Sequence, residues 1–532
     1  MVKRVAIIGA GCSGLTAIKC CLDEDLEPTC FERSYDIGGL WRFTDTVDEW
    51  RASIYQSVVT NTSKEMMCYS DFPMPANFPV YLQSSKVLEY LRIYTEHFHL
   101  LKYIRFQSEV CSVTRNSSYS STGQWDVRIK TTEDTKDMVF DAVLVCSGLY
   151  VQNHLPLDSF PGIQSFKGHY SHSRFYKNSC NYLDKTVLVV GNGNSAADIA
   201  VEISSKAKQV YLSIRSGSWV LSRIAHCGFP VDMVKVTRFS FWIQNLLPDY
   251  FAARKYKKQI NSWFNHENYG FLPLDRTELK EPVVNDNLPS SILCGAIKLK
   301  PQIRAFTENT VVFEDNTVVE NLDEVIFATG YTTSFPFIKD HLIQLDDMNS
   351  HLYKQVFSTR IEKPTLAFLA LVRPLGAIMP VSELQARWAT RIFKGVAHLP
   401  SVDQMENYIS KKTKLKTKCF SKHKVPKMLF LEYMDEIAVE IGVRPKVSQL
   451  LFKDPHLAWQ IFFGPSTPYQ YRLTGPGNWT GAKKAILTQW ERTISPTRIR
   501  TVCRPPNYCL NITTVLSIFV LLLSICCLAY IM

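Results

Sequence analysis

Two short, almost wholly apolar runs along the chain end abruptly in glycine. VAII at 5–8 leads into GAGCSG, and TVLVV at 186–190 leads into GNGNSA. A continuous apolar run of this length, bounded by glycine, reads as a strand covered on both faces. The first pattern predicts a strand at Val5–Ile8, a glycine turn, a helix to about Leu22 and a second strand at Pro28–Phe31. The second predicts a strand at Thr186–Val190, a helix from about Asn194 to Ser205 and a strand at Gln209–Ser213. The same order met twice predicts an α/β chain with two Rossmann-like dinucleotide-binding domains.

The spacing of small residues gives each unit its chemistry. Gly9 permits a tight turn, Gly11 lets the backbone approach a pyrophosphate at the helix N-terminus, and Gly14 lets helix and strand pack closely. Glu32 closes the second strand, 23 residues after Gly9, where a carboxylate accepts hydrogen bonds from a ribose diol. In the other unit Gly191 and Gly193 hold the same places, Asn194 and Ser195 open the helix, and Ala196 replaces the third glycine. No acid closes its second strand; Arg215 follows, 22 residues after Gly193. A permanently charged guanidinium there suits an adenosine 2′-phosphate, the alternative being a solvated surface charge. The first unit therefore reads as an FAD site and the second as an NADPH site. One tightly held cofactor and one diffusing reductant point to a flavin that accepts hydride from NADPH.

Length and composition narrow the class. At 532 residues the chain is too long for one core and predicts two to four domains. The net charge of +11 fits anionic cofactors or a membrane surface; no nucleic-acid-binding motif accompanies it, so nucleic acid is not expected. The fifteen cysteines are scattered, several within apolar runs, which reads as reduced thiols in a cytosol-facing protein. No CxxC or CxxxxC spacing occurs, which disfavours a dithiol electron relay beside the flavin. The N-terminal apolar run is a strand rather than a signal peptide. From Ile512 to Met532 there is no charged residue, and Arg498, Arg500 and Arg504 precede the run. Twenty-one helical residues reach about 31 Å, enough for a bilayer core of about 30 Å. The expectation is a C-terminal transmembrane helix, against a buried core helix, with the rest of the chain in the cytosol.

Between the two units lies FKGHYSHSRFY, 166–176, which matches FxGxxxHxxxY at Phe166, Gly168, His172 and Tyr176. With GAGCSGL, CFERSYDIGGLWRF (30–43), TNTSKEMMCYSDFPMP (60–75), VIFATGY (325–331) and the apolar tail, the chain resembles the class B flavin-containing monooxygenases over essentially its whole length, in their vertebrate-type, membrane-anchored form. The resemblance implies FAD and NADPH as cofactors and a C4a-hydroperoxyflavin that oxygenates soft nitrogen and sulfur nucleophiles of lipophilic small molecules with O2. It implies that Asn61 faces the flavin and oxygen, and that Gly38, Gly39, Leu40 and Trp41 lie along FAD. It further implies that Gly330 lies where the chain returns to the FAD lobe, that Gln385 belongs to a helix closing over the isoalloxazine, and that Ser213 and Arg215 contact the 2′-phosphate. From composition alone Asn61 is equally a cap or turn residue. His172 reads as a satisfied histidine holding the interdomain linker, and no metal site is expected. The chain departs from the family pattern at Trp50, Leu149, Tyr150 and Arg373, which bears on activity rather than on fold.

The expected organisation is an FAD domain at 1–155 and 332–442 and an NADPH domain at 156–216 and 296–331. A helical insert at 217–295, a C-terminal region at 443–509 and the tail anchor at 510–532 complete it. The insert mixes aromatics with Arg254, Lys255, Lys257 and Lys258 and reads equally as a membrane-facing lid or as a core-packed helical unit with a solvated charge run. Residues 411–427 hold eight lysines and no acid and read as an exposed loop. The expected place is the endoplasmic reticulum (microsome) membrane, held by a single-pass C-terminal anchor. Substrates, O2 and membrane lipid are the expected partners, and homo-oligomerisation stays open. The rival readings are a Baeyer–Villiger monooxygenase acting on ketones, an uncoupled NADPH oxidase producing H2O2, and a membrane scaffold with degenerate nucleotide folds.

Overall fold

The computed structural model describes residues 3–48, 51–273, 282–339, 351–416 and 427–500. In the strand Arg4–Ile8, Val5 and Ile7 pack with Leu15 and Ile18 of the helix Cys12–Asp23. Ala6 and Ile8 face the other way, onto Val113, Trp125 and Phe140. Those three belong to an antiparallel sheet of Glu109–Arg115, Trp125–Lys130 and Thr135–Phe140. The unbroken apolar run is thus explained: strand residues alternate in direction, and both faces are covered. Each fully buried aliphatic side chain of this kind contributes about 1.5–3 kcal/mol relative to its exposed state.

The second unit repeats this plan. In Thr186–Val190, Val187 and Val189 pack with Ala197 and Ile199 of the helix Asn194–Ser204, while Leu188 and Val190 meet Phe306 and Phe313. The latter two belong to a second small antiparallel sheet of Ile303–Phe306, Val311–Phe313 and Val318–Val319. Each unit is centred on a five-stranded parallel sheet. The first runs Leu366–Phe368, Ala142–Val145, Arg4–Ile8, Glu27–Phe31, Ile104–Arg105. The second runs Ile297–Lys300, Gln209–Ser213, Thr186–Val190, Glu324–Phe327, His169–His172.

The chain crosses between the units at Gln152–Asn153 and returns at Tyr331–Thr332, and the two crossings pair antiparallel. The strand Leu366–Phe368 then completes the first sheet beside Ala142–Val145, and the helix Ile378–Lys394 packs on Cys12–Asp23.

Residues 443–500 join the first unit rather than standing apart. Leu457, Ile461, Tyr469, Tyr471 and Ile486 share one buried cluster with Leu15 and Leu384. Polar pairs stitch the same interface: Arg472 to Glu383 at 2.6 Å and to Asp71 at 2.8 Å, Lys19 to Asp71 at 2.6 Å, and Arg492 to Glu65 at 2.6 Å. Buried ions of this kind persist only when paired, and breaking one leaves an uncompensated charge costing roughly 3–5 kcal/mol.

The insert is anchored by buried Arg238, which binds both carboxylate oxygens of Asp435 at 2.7 and 2.9 Å. Beside it, Phe239 packs on Phe463 with ring centroids 4.9 Å apart. Trp242, Leu246, Phe251, Phe452 and Trp459 stay exposed on this side of the molecule. Among the described residues no helix is long and apolar enough to cross a membrane, and the expected tail helix at 510–532 lies outside them.

Candidate functional site

The first glycine turn is tightly built. Gly9 adopts φ +100°, and a side chain at Gly14 would place its Cβ 1.8 Å from the Gly9 carbonyl oxygen. The helix Cys12–Asp23 begins at Gly11 with no side-chain cap, so its first-turn N–H groups remain open to an anion. Glu32, at the end of the strand Glu27–Phe31, accepts from the Ala10 N–H at 2.7 Å and from the Ser34 N–H and hydroxyl at 2.9 and 2.6 Å. The carboxylate is held beside the turn, as a ribose partner must be. The segment Gly39–Trp41 closes over it: the Gly38 N–H donates to the Ala10 carbonyl at 3.1 Å, and Gly39 lies against Gly11. Leu40 and Trp41 are half-buried there.

Two cations that sequence reading missed stand in this region. Arg42 is buried, with Nε and Nη1 lacking any hydrogen bond among the described residues and its guanidinium over the Tyr35 ring at 4.5 Å. Arg51 has a buried Nη1 without an acceptor. Burial, and after it the neighbouring Arg42, holds the Arg51 guanidinium below its usual range. Buried donors without acceptors are costly and rare. Together with the uncapped helix they ask for an anion, and the diphosphate of FAD meets that demand. Arg42 directly follows the GGLW run, so its place in the chain was a signal; Arg51 carried none.

The second turn is open at Gly193 but not at Gly191, where a Cβ would lie 2.5 Å from the Ala328 carbonyl oxygen, so its first glycine is as confined as Gly9. A side chain at Gly193 would meet nothing within 4 Å, and the helix Asn194–Ser204 also begins without a side-chain cap. Ala196 is buried where the first turn has Gly14. Arg215 is exposed, and among the described residues no hydrogen bond or ion pair engages it. Ser213 lies differently from its expected role as a phosphate contact. Its buried hydroxyl donates to the Pro301 carbonyl at 2.7 Å, which leaves no proton for a phosphate oxygen. Asn194 is partly spent as well, its Oδ1 accepting from the Val284 N–H at 2.7 Å. The donors of the turn that no described residue engages are therefore the helix N-terminus, with Ser195 in its first turn, the Asn194 Nδ2 group and Arg215.

The crossings carry the linker motif. His172 is buried; its Nδ1 accepts from the Arg174 N–H at 3.1 Å, which makes Nε2 the donor to the Gly330 carbonyl at 3.0 Å. Burial lowers this imidazole to about 4 despite the Gly330 hydrogen bond, so it is neutral and positional. Tyr331 packs edge-on against it at 5.3 Å, and Tyr150 packs on Tyr331 at 5.7 Å with the Arg373 guanidinium 5.8 Å from its ring. Two of the family departures, Tyr150 and Arg373, thus touch each other beside the crossing. Leu149 packs half-buried against the first core, and Trp50 lies outside the described residues.

Gln385 is fully buried. Its carbonyl accepts from the Ala370 N–H at 2.7 Å and its amide donates to the Tyr433 hydroxyl at 2.6 Å, which fixes the helix Ile378–Lys394 to its neighbours. Asn61 is half-buried, and its Oδ1 accepts from Arg223 Nη2 at 2.7 Å. Arg223 comes from the insert, 162 residues away, and no local pattern announced it.

The chain matches the family model for flavin-binding monooxygenase-like proteins over residues 2–530. It is 54% identical over 504 residues to the dimethylaniline monooxygenase (N-oxide-forming) 2 of Rattus norvegicus, a match covering 94% of each chain. Among solved structures, the S-allyl-L-cysteine S-oxygenase of Allium sativum aligns with a TM-score of 0.64 at 22% identity, over 93% of this chain and 99% of that one. The cyclohexanone monooxygenase of Rhodococcus sp. Phi1, bound to NADP+, aligns at 0.59 and 16% identity, over 83% and 98%. At such identities these two likenesses speak to fold alone.

Proposed function

Because the chain belongs to the flavin-binding monooxygenase-like family, we infer its activity from that membership and from the two unlike nucleotide turns described above. It is an NADPH- and O2-dependent flavoprotein monooxygenase that oxygenates nitrogen and sulfur of small nucleophilic molecules. FAD would supply the redox chemistry of the site, hydride acceptance from NADPH and insertion of one atom of O2 into substrate with the other leaving as water. The carrying observation is the pairing in one chain of a closed, acid-ended turn with an open turn that presents an exposed arginine.

The residues divide the work. Gly9, Gly11, Gly14, Glu32 and Gly39–Trp41 form the cradle that would hold FAD, with Arg42 and Arg51 balancing its diphosphate. Gly191, Gly193, Asn194, Ser195 and Arg215 would hold NADP(H), with Arg215 reading the 2′-phosphate. Asn61 would present its amide to the reacting oxygen. His172 and Gly330 hold the lobes in register so that two bound rings can meet, and Gln385 and Ser213 serve the scaffold. These side chains need do little covalent chemistry; they bind, orient and exclude water.

A direct test offers the purified enzyme a thioether, a tertiary amine and a ketone, and measures oxygenated product per NADPH consumed. Sulfoxide and N-oxide near one per NADPH are expected. Ester from the ketone alone supports the Baeyer–Villiger rival, and H2O2 in place of product supports the oxidase rival.

We propose further that the protein sits on the endoplasmic reticulum membrane with its catalytic part in the cytosol. Support comes from the uncharged run 512–532 and from exposed Trp242, Leu246, Phe251 and Trp459 near exposed Arg254, Lys257 and Lys258. Aromatic and cationic groups on one surface suit a bilayer interface. Removing residues 510–532 should release the protein from microsomes at high salt; full retention would move the whole attachment to the aromatic surface.

A further inference from the structure

Arg223 lies between the strand Val220–Leu221 and the helix Val231–Lys235, on the insert, yet its side chain reaches the first unit. Nη2 donates to Asn61 Oδ1 at 2.7 Å, and Nε donates to the Thr60 carbonyl at 3.1 Å. Nη1 donates to Asp286 Oδ2 at 3.1 Å. The Asp286 carboxylate is itself fixed, its Oδ1 accepting from the Arg223 N–H at 2.9 Å and the Ser222 hydroxyl at 2.7 Å. The Tyr81 hydroxyl donates to the Arg223 carbonyl at 2.7 Å, closing the frame from the other side. The guanidinium is mostly buried, and its planar fork meets three acceptors at once.

This geometry decides which way the Asn61 amide points. A guanidinium has donors only, so the atom of Asn61 that faces it must be the carbonyl oxygen. The amide nitrogen is then turned elsewhere, and none of the described residues accepts from it. We propose that Arg223 is a positioning residue: it captures the Asn61 carbonyl so that Asn61 acts as an N–H donor toward the reacting oxygen. The inference rests on the reading that Asn61 faces the flavin.

Its anchor carries the arrangement into the second unit. Asp286 directly follows Val284, whose N–H is bound by Asn194 Oδ1 at 2.7 Å, and Asn285, whose amide donates to Asp198 at 2.7 Å. Asn194 and Asp198 lie on the helix that opens the second nucleotide turn. The donor facing the oxygen site is thus braced on the element that binds the reductant. A side chain held this way loses no reorganisation when it is needed, which is what preorganised donors supply.

The test uses the full-length holoenzyme with Asn61→Ala, Arg223→Met, Arg223→Lys and the double Asn61→Ala/Arg223→Met. Reduced enzyme with NADP+ is mixed with O2 and the transient flavin absorbance is followed; NADP+ affinity of the oxidised enzyme is measured by titration. Asn61→Ala should shorten the transient roughly 100- to 1,000-fold, the range of one lost preorganised donor. Arg223→Met should match it, and the double variant should be no worse than either single, because both remove one interaction. Arg223→Lys should recover part of the lifetime, and NADP+ affinity should change far less than the lifetime in every variant, because Asn61 and Arg223 reach the nucleotide helix only through the segment of Asp286.

If Asn61→Ala has no effect, the reading of Asn61 itself fails. If Asn61→Ala shortens the transient and Arg223→Met does not, or if the two losses multiply, the positioning role is overturned while that reading survives. Should Arg223→Met lose its flavin, Arg223→Lys and Asp286→Asn carry the same comparison; loss of flavin in all three would make Arg223 a scaffold residue and overturn the proposal.

Discussion

The two nucleotide turns of this protein share a topology, a confined first glycine (Gly9 and Gly191) and an uncapped helix, and differ in what surrounds the place of the ligand. In the first, Gly9 and Gly14 leave no room for a side chain, Glu32 is held by three donors, and the segment Gly39–Trp41 lies across the opening. In the second, the space around Gly193 is clear, Ala196 fills the third small position, and Arg215 stands exposed. A turn that is closed in, with the Arg42 and Arg51 cations enclosed beside it, suits a resident cofactor. An open turn with an exposed cation suits one that arrives and leaves on each cycle. The same strand–turn–helix unit has been fitted to two residence times, and the fitting lies in packing and charge rather than in fold.

The sharpest way to break that comparison is to exchange the small residues. Gly14→Ala would set a methyl 1.8 Å from the Gly9 oxygen, so the turn must move. Loss of FAD and a destabilisation above about 3 kcal/mol are expected, in the range of severe backbone and packing conflicts. The mirror change, Ala196→Gly, should cost only about 1 kcal/mol, the helix penalty of glycine, and leave NADPH binding intact. Flavin absorbance per protein and the melting temperature read both. Equal effects of the two changes would erase the distinction between closed and open turns.

Arg215→Ala comes next. Losing a charge-assisted contact to the 2′-phosphate should weaken NADPH use by roughly 10- to 150-fold, the 1.5–3 kcal/mol typical of hydrogen bonds to charged groups. NADH use and flavin content should not change. Steady-state kinetics with both reductants check this, and unchanged NADPH preference would mean that another group reads the phosphate.

How much of this was legible beforehand follows from what makes a signal local. The strands Arg4–Ile8 and Thr186–Val190 were readable because every residue of a two-faced strand is apolar, and the turns because glycine is demanded by sterics. The packing of the C-terminal region on the first unit was not legible because it is non-local: its apolar residues meet Leu15 and Leu384 far along the chain, and Arg472, Glu383, Asp71 and Lys19 look like surface residues until they are seen paired inside. Ser213 sat at a readable position, yet its hydroxyl turned to the Pro301 carbonyl, a partner 88 residues on. Arg42, Arg51 and Arg223 were missed for the same reason, since an arginine's partner or lack of one is a property of three-dimensional packing.

A smaller effect separates the two regions by pH. His172, at the end of the edge strand of the second sheet, and His266, in the insert, are both lowered to about 4, chiefly by burial. A histidine with a depressed folded pKa binds its proton first in the unfolded state. Its contribution to stability is therefore present above about pH 6.5 and lost as pH falls toward 4. Each should cost about 1–2 kcal/mol between pH 6.5 and pH 5. On acidification NADP+ binding should fail before the flavin is released, and His172→Gln should narrow that gap. Titrating nucleotide affinity and flavin fluorescence together reads the order of loss.

The smallest expected effect sits at the seam between the regions. Arg373 lies over Tyr150, and Tyr150 packs on Tyr331 at the returning crossing, so the pair belongs to the first unit but leans on the connection to the second. A cation–π contact at a partly exposed site is worth about 0.5–1 kcal/mol. Tyr150→Leu should therefore shift the apparent NADPH affinity by no more than about fivefold, the equivalent of 1 kcal/mol, with flavin content unchanged. Arg373→Met should do the same, and the double variant should add little to either. If the two effects multiply instead, the residues act on different neighbours. If flavin content falls as well, the contact belongs to the closed cradle rather than to the crossing, because only the cradle has to keep its ligand between turnovers.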